Sequence, residues 1–335
     1  MQQTESRKLL IIRFSSFGDI LQASSAIGSF LAKYPGSEIH WATRSDFVPL
    51  LSHNPNIHKI WPLNRKEGLK GLWSLLKNLQ KENYTHVYDA HNNLRSRFLS
   101  LFLWPKHFVR RGKSRLRRFL IFKLRIKSAL PKQPARDTFI RPLEKWGIPF
   151  EPLKTSQLFF SEERLAKVKS QIPFQNFIAL IPSSAWDQKR WPIEYWKRLI
   201  DLYPEQNFVI FGGPQDHFLA ELVTPENQNR LVNTSGAFSL IESCAAVSLA
   251  TAAIGCDTGL THAADQLGLP VFILIGPSPF GYPARPTSKV LETSLWCKPC
   301  SDGSGRCKNR IYKKCLYEIK PEDVAIELNN MKVIE

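Results

Sequence analysis

The chain has 335 residues and 43% hydrophobic content, enough to bury two cores of ordinary size. Lys and Arg total 46 against 29 Asp and Glu, a formal net charge of +17. Such an excess calls for an anionic partner: nucleic acid, an anionic membrane, or a heavily phosphorylated substrate. No apolar run approaches the roughly 20 residues that span a bilayer. Met1–Lys8 is polar and Leu9–Ile12 is too short for a signal core. A cytoplasmic protein, free or peripheral to a membrane, is expected.

Lys8–Phe14 is an apolar strand, Ser15–Asp19 a turn, and Ile20–Tyr34 a helix stopped by Pro35-Gly36. Glu38–Thr43 is a second strand, Leu72–Glu82 a helix, and Thr85–Ala90 a third strand ending in polar residues. A second series begins after Phe150-Glu151-Pro152: strand Phe177–Pro182, helix Pro192–Tyr203, strand Phe208–Phe211 ending in Gly212-Gly213-Pro214, then a helix near His217–Val223. Ala245–Ile254 has the length of a strand or a short buried helix. Ala263–Leu267 is helical, Leu269–Gly276 a buried strand, and Pro321–Met331 a helix with Pro in its first turn. Strand–turn–helix alternation means parallel sheets. Two such series predict an α/β chain of two Rossmann-like domains facing a central cleft, residues 1–155 and 156–335.

Positive charge concentrates in Lys106–Lys127, where Leu116, Phe119, Leu120, Phe122 and Leu124 interleave with Arg115, Arg117, Arg118, Lys123 and Arg125. An amphipathic helix packed on its own domain, with a basic outer face for anionic lipid, fits this pattern. Nucleic acid is disfavoured as partner, because no RNP-like strand, zinc finger or helix-turn-helix signature is present.

Chemistry-bearing residues cluster at strand ends, where open α/β sheets bind ligands. Asp19 follows the first strand and suits either a proton acceptor or a helix cap. Pro182–Pro192 supplies Ser183, Ser184 and the adjacent cations Lys189 and Arg190. A cation aimed at a diphosphate would stabilise a departing anion; a solvated loop anchored by Trp191 and Trp196 fits the same residues. Asp216 follows Gly212-Gly213-Pro214 and fits a ribose contact or a turn. Asp257-Thr258-Gly259-Leu260-Thr261-His262 opens a helix with free amides, a geometry suited to phosphate.

Four cysteines fall as Cys297-x₂-Cys300-x₆-Cys307-x₇-Cys315. A tetrahedral zinc site and unligated thiols fit this spacing equally, and a cytoplasmic setting argues against stable disulfides. Cys244 and Cys256 look like core thiols.

From about Lys8 to Val324 the chain resembles glycosyltransferase family 9, the ADP-heptose:lipopolysaccharide heptosyltransferases. Four blocks in the family's order carry the resemblance: Ile12–Ile20 (IRFSSFGDI), Lys189–Pro192 (KRWP), Phe211–Pro214 (FGGP) and Asp257–His262 (DTGLTH). The resemblance implies a GT-B fold and an inverting, metal-independent transfer of heptose from ADP-heptose to the lipopolysaccharide inner core, with no cofactor required for catalysis. Another nucleotide-sugar is the alternative donor. The acceptor would be an anionic, lipid-linked saccharide at the inner-leaflet surface. Asp19 matches the family's general base and Lys189 its donor-phosphate contact. Ser183, Ser184, Asp257, Thr258, Gly259 and His262 fall in the donor site, with Asp216 near the ribose and Phe238 near the adenine. Arg65, Lys66 and Lys70 fall where the phosphorylated acceptor binds, and His91 and Asn92 at the third strand end beside it. Ser183 stands where the family usually has glycine, and Asp89–Asn93 is more polar than usual.

Overall fold

The computed structural model describes residues 7–112, 115–124, 126, 134–150, 156–278, 281–300 and 306–332. The chain divides into two compact units, Met1–Ser114 with Arg136–Phe160, and Arg115–Ala135 with Ser161–Glu335.

The first unit runs β1 (Lys8–Ile12), α1 (Phe17–Lys33), β2 (Glu38–Arg44), β3 (Lys59–Leu63), α2 (Gly68–Gln80), β4 (His86–Asp89), α3 (Leu94–Leu103) and β5 (His107–Arg110). Helix α4 (Arg115–Phe122) comes next in sequence and belongs to the second unit; α5 (Asp137–Ile140) returns to the first. The strands pair in the order β3-β2-β1-β4-β5, all parallel. Leu9, Leu10, Ile11 and Ile12 on the central strand are all fully buried, because a parallel sheet is covered on both faces.

The second unit runs α6 (Glu162–Ser170), β6 (Ile178–Ile181), α7 (Ile193–Asp201), β7 (Phe208–Ile210), β8 (Leu231–Asn233), α8 (Leu240–Val247), β9 (Ala252–Cys256), α9 (Gly259–Leu267), β10 (Val271–Ile275), β11 (Lys289–Glu292), α10 (Lys314–Tyr317) and α11 (Pro321–Asn330). Its sheet is also parallel, in the order β11-β10-β9-β6-β7-β8. From the other edge this is the doubly wound dinucleotide-binding order. The strand order reverses between β1 and β4 in one sheet and between β6 and β9 in the other. Loops leaving those strands are where such sheets hold ligands.

Several elements differ from expectation. Helix α1 starts at Phe17 rather than Ile20, because Ser16 serves as its N-cap residue and Asp19 lies inside the first turn. The apolar run 245–254 is neither one strand nor one helix: α8 ends at Val247 and β9 begins at Ala252. An all-apolar run has no periodicity to separate the two. The 3₁₀ turn His217–Leu222 replaces the expected helix. The basic run 106–127 is not one amphipathic helix: His107–Arg110 is the edge strand β5, and only Arg115–Phe122 is helical. Residues 113–114, 125 and 127 of that run, and Glu151-Pro152, lie outside the described residues.

Candidate active site

In the first unit, Asp19 is held at the start of α1. Its Oδ2 accepts the Ser16 hydroxyl at 2.7 Å and the Ser16 amide at 3.4 Å, and pairs with Arg13 at 2.5 Å. Arg13 is nearly buried, and its Nη1 donates to the Ala90 carbonyl at 2.8 Å, tying the end of β1 to the end of β4. The Asp19 side chain keeps 36% exposure. Burial pushes its pKa up, but Arg13, the Ser16 hydroxyl and the nearby Arg111 outweigh that and hold the carboxyl below its ordinary value. Asp19 is therefore ionised at neutral pH and reachable, though the guanidinium makes it a weaker base. The choice left open by sequence resolves to both: Asp19 serves the first turn of α1, and it still presents a carboxylate.

The polar end of β4 is mostly internal. Asp89 is fully buried, takes Arg110 Nε at 2.8 Å, and accepts the amides of His91 and Asn92. Asn92 sits in the left-handed region at φ 54°. Its Nδ2 donates to the Arg111 carbonyl and its Oδ1 accepts Arg97 Nε. The expected acceptor contact by Asn92 is thus corrected: its side chain is consumed in shaping the turn. His91 packs edge-on against Phe14, ring centroids 5.4 Å apart. Arg65, Lys66 and Lys70 are all exposed, on the 3₁₀ turn Arg65–Glu67 and the first turn of α2.

In the second unit, the β6 and β9 ends bring three expected residues together. Lys189 Nζ meets Asp257 Oδ2 at 2.6 Å, and His262 Nε2 meets Asp257 Oδ1 at 3.2 Å. The Lys189, Asp257 and His262 side chains are 14%, 9% and 10% exposed. Burial raises the Asp257 pKa, but the His262 hydrogen bond and the Lys189 charge more than reverse it and hold the carboxyl far below the usual range. Thr258 is the N-cap residue of α9 and makes no side-chain cap, so the first-turn amides, starting with Gly259, stay open to a ligand. The Thr258 and Thr261 hydroxyls lie 3.3 Å apart, and Thr261 donates to the Cys256 carbonyl. Gly281, which sequence reasoning missed, backs this cluster; a Cβ built there would run into the Asp257 carboxylate.

Asp216 requires a correction. It is 1% exposed; Oδ2 accepts the Ser183 hydroxyl at 2.5 Å and the Gly213 amide at 2.7 Å, and Oδ1 faces Arg190 at 3.4 Å. Both oxygens are engaged, so Asp216 ties the β6 loop to the β7 turn and is not free for a ribose. Arg190 also donates to the Ser184 carbonyl. Ser184 is buried, its hydroxyl 3.5 Å from the Trp186 amide. Phe238 is mostly buried and stacks on Phe211 with centroids 6.4 Å apart, at the end of β7.

Cys297, Cys300 and Cys315 are buried and Cys307 is half-buried, all as thiols. Burial pushes the Cys315 thiol up to about 11. Among the described residues, no three of these sulfurs lie within 4.8 Å of one another, so they do not form a ligand shell. Glu38, His40 and Glu82 do converge to that distance. Their carboxylates already take the Lys8 and Lys59 ammonium groups, making an ion-pair network. Among the described residues, no helix is long and apolar enough to cross a membrane.

The family model described as glycosyltransferase family 9 (heptosyltransferase) matches residues 72–310, more than half the chain. The chain is 22% identical to lipopolysaccharide heptosyltransferase 1 of Pseudomonas aeruginosa, covering 94% of this chain and 89% of that protein. It is 26% identical to lipopolysaccharide heptosyltransferase 2 of Escherichia coli, covering 98% and 99%. Among solved structures, the E. coli ADP-heptose lipopolysaccharide heptosyltransferase II superposes with a TM-score of 0.75 at 24% identity, covering 97% and 98%. A family 9 glycosyltransferase from Veillonella parvula does so with a TM-score of 0.80 at 20% identity, covering 97% of each. The two doubly wound parallel sheets are those of a GT-B fold.

Proposed function

The chain belongs to glycosyltransferase family 9, and from that premise we propose how its residues divide the reaction. The protein is a heptosyltransferase of lipopolysaccharide core assembly, taking a nucleotide-sugar and a saccharide acceptor. We assign the acceptor to the first unit and ADP-heptose to the second. In an inverting displacement the acceptor oxygen attacks the anomeric carbon, the bond to the diphosphate breaks with its electron pair leaving on ADP, and the hydroxyl proton passes to Asp19. Lys189 and the open amides of α9 at Thr258-Gly259 meet the diphosphate. Asp257 and His262 hold Lys189 in place, Ser183 and Ser184 line the same loop, and Phe238 with Phe211 borders the adenine. Arg65, Lys66, Lys70 and His91 face the acceptor.

One observation carries the donor assignment: the Lys189–Asp257–His262 cluster stands at the uncapped start of α9, beside the reversal between β6 and β9. A cation and free amides together are worth several charge-assisted hydrogen bonds to a diphosphate. Thermal stabilisation by a panel of nucleotide-sugars tests it, since a ligand that binds only the folded state raises the melting temperature. ADP-heptose should outrank UDP- and GDP-sugars; a panel led by either of those would overturn the donor.

The chain's net charge of +17 supports a location on the cytoplasmic face of the inner membrane, where a lipid-linked acceptor is met. Metal analysis of the purified protein separates a structural zinc on Cys297, Cys300, Cys307 and Cys315, which the spacing allows, from free thiols, which the separated sulfurs favour.

A further inference from the structure

The first unit carries an open groove of about 730 Å³ between α2 and α3. Leu69, Trp73, Leu94 and Phe98 form its walls. Helix α2 turns Leu72, Leu75, Leu76 and Leu79 into the core. Its opposite face, where a surface helix ordinarily carries charge, shows Leu69 at 82% exposure and Trp73 at 50%. Helix α3 repeats this, with Leu94 at 85%. The indole of Trp73 packs on Phe98 at 6.0 Å, and Phe98 on Phe102 at 5.0 Å, so the apolar strip runs on along α3 to exposed Leu101 and Trp104. A strip of this extent is not scattered surface hydrophobicity. Lys70, Lys77 and Arg95 stand around the groove, and no carboxylate is among the described residues lining it.

Apolar walls with an all-cationic rim match one partner chemistry. A sugar can stack a C–H face on the indole but has no apolar bulk to bury the exposed leucines, whereas a lipid surface offers acyl chains beneath phosphates. We propose that the α2–α3 face docks this chain on an anionic bilayer. Leu69, Trp73, Leu94 and Phe98 enter the headgroup–acyl boundary, where tryptophan is favoured, while Lys77 and Arg95 meet lipid phosphates. This rests on the reading above that the acceptor is lipid-linked.

The test is co-flotation of the full chain with vesicles of phosphatidylethanolamine and phosphatidylglycerol, and with phosphatidylcholine vesicles, alongside heptosyl transfer to a delipidated, water-soluble acceptor. The wild type should float with the anionic vesicles only. Leu69→Glu with Leu94→Glu should lower its partition by about tenfold or more, and Lys77→Glu with Arg95→Glu should do the same with the apolar walls intact. Both variants should keep the wild-type melting temperature and transfer to the soluble acceptor. Unchanged flotation in either variant overturns the docking face. So does lost transfer to the soluble acceptor, which would make the groove part of saccharide binding, or a wild-type dimer that the leucine variant dissociates. A wild type that floats but transfers nothing from ADP-heptose would instead overturn the proposed reaction and leave the docking face standing.

Discussion

The two acidic centres of the molecule share a position and differ in what surrounds them. Asp19 follows β1 and Asp257 follows β9, and each of those strands borders the point where its sheet's order reverses. Both carboxyls are held below their ordinary pKa by cations. Asp19 has one direct guanidinium partner and a side chain 36% exposed. Asp257 is clamped between Lys189 and His262, is 9% exposed, and has Gly281 at its back. Equivalent topology thus yields two different instruments. An accessible carboxylate with one partner can exchange a proton with a substrate; an enclosed one with two partners can only fix their positions. The first suits a base, the second a scaffold for a cation that meets phosphate.

The sharpest way to break this contrast is to neutralise the accessible member. Asp19→Asn should cut kcat by roughly 10²–10⁴, the usual scale for losing a general base, with ADP affinity unchanged by calorimetry. Near-native turnover would remove Asp19 from the chemistry. At the enclosed centre the expected effect is on binding. Lys189→Ala should weaken ADP roughly tenfold to a hundredfold, the worth of one charge-assisted hydrogen bond to a charged group. If titration calorimetry shows unaltered affinity, the Lys189–Asp257 pair is a fold contact and the donor lies elsewhere.

How much of this was legible in the sequence differs between the two centres for physical reasons. Asp19, Lys189, Asp257 and His262 sit in short motifs at strand ends, where local chemistry and topology agree. Arg13 lies inside such a motif, but its role is not legible there, because it depends on Ala90 on the neighbouring strand end, 77 residues away. Gly281 carried no signal, since its need to be glycine arises only from Asp257 lying against it. Asp216 misled for the converse reason: its strand-end position looks like a ribose site, but Ser183, Gly213 and Arg190 converge on it from two loops. Periodicity located most strands of both sheets. It missed β3, β8 and β11, which are short and lie toward or at sheet edges, and it joined β5 to α4 because basic residues run through both.

Gly281→Ala sharpens the enclosed side. The added methyl has to displace the Asp257 carboxylate or its own loop, an overpacking that costs typically 1–3 kcal/mol. ADP affinity should fall several-fold, while the pH dependence of turnover, which reports on Asp19, should keep its shape. A Gly281→Ala protein with wild-type ADP affinity would mean that Asp257 is not braced by that loop.

The smallest effect is expected from Ser16→Ala, and it probes the accessible side through proton affinity rather than turnover. The hydroxyl donates to Asp19 at 2.7 Å and stabilises its charged form, so its removal should raise the Asp19 pKa toward that of a free carboxyl. Because the base must be ionised, the acid limb of kcat/KM should shift to higher pH, with the plateau near neutrality little changed. Stability follows the same sign. A carboxyl depressed in the folded state contributes stability that is complete above its unfolded value and lost as pH falls through its folded value. Without the hydroxyl that loss begins at higher pH, on top of about 0.5–2 kcal/mol for the missing N-cap side chain. Acid-limb titration of Ser16→Ala beside Lys189→Ala decides the contrast: only the first should move the limb, and a shift in the second would mean that the two carboxylates are not the separate instruments their surroundings make them.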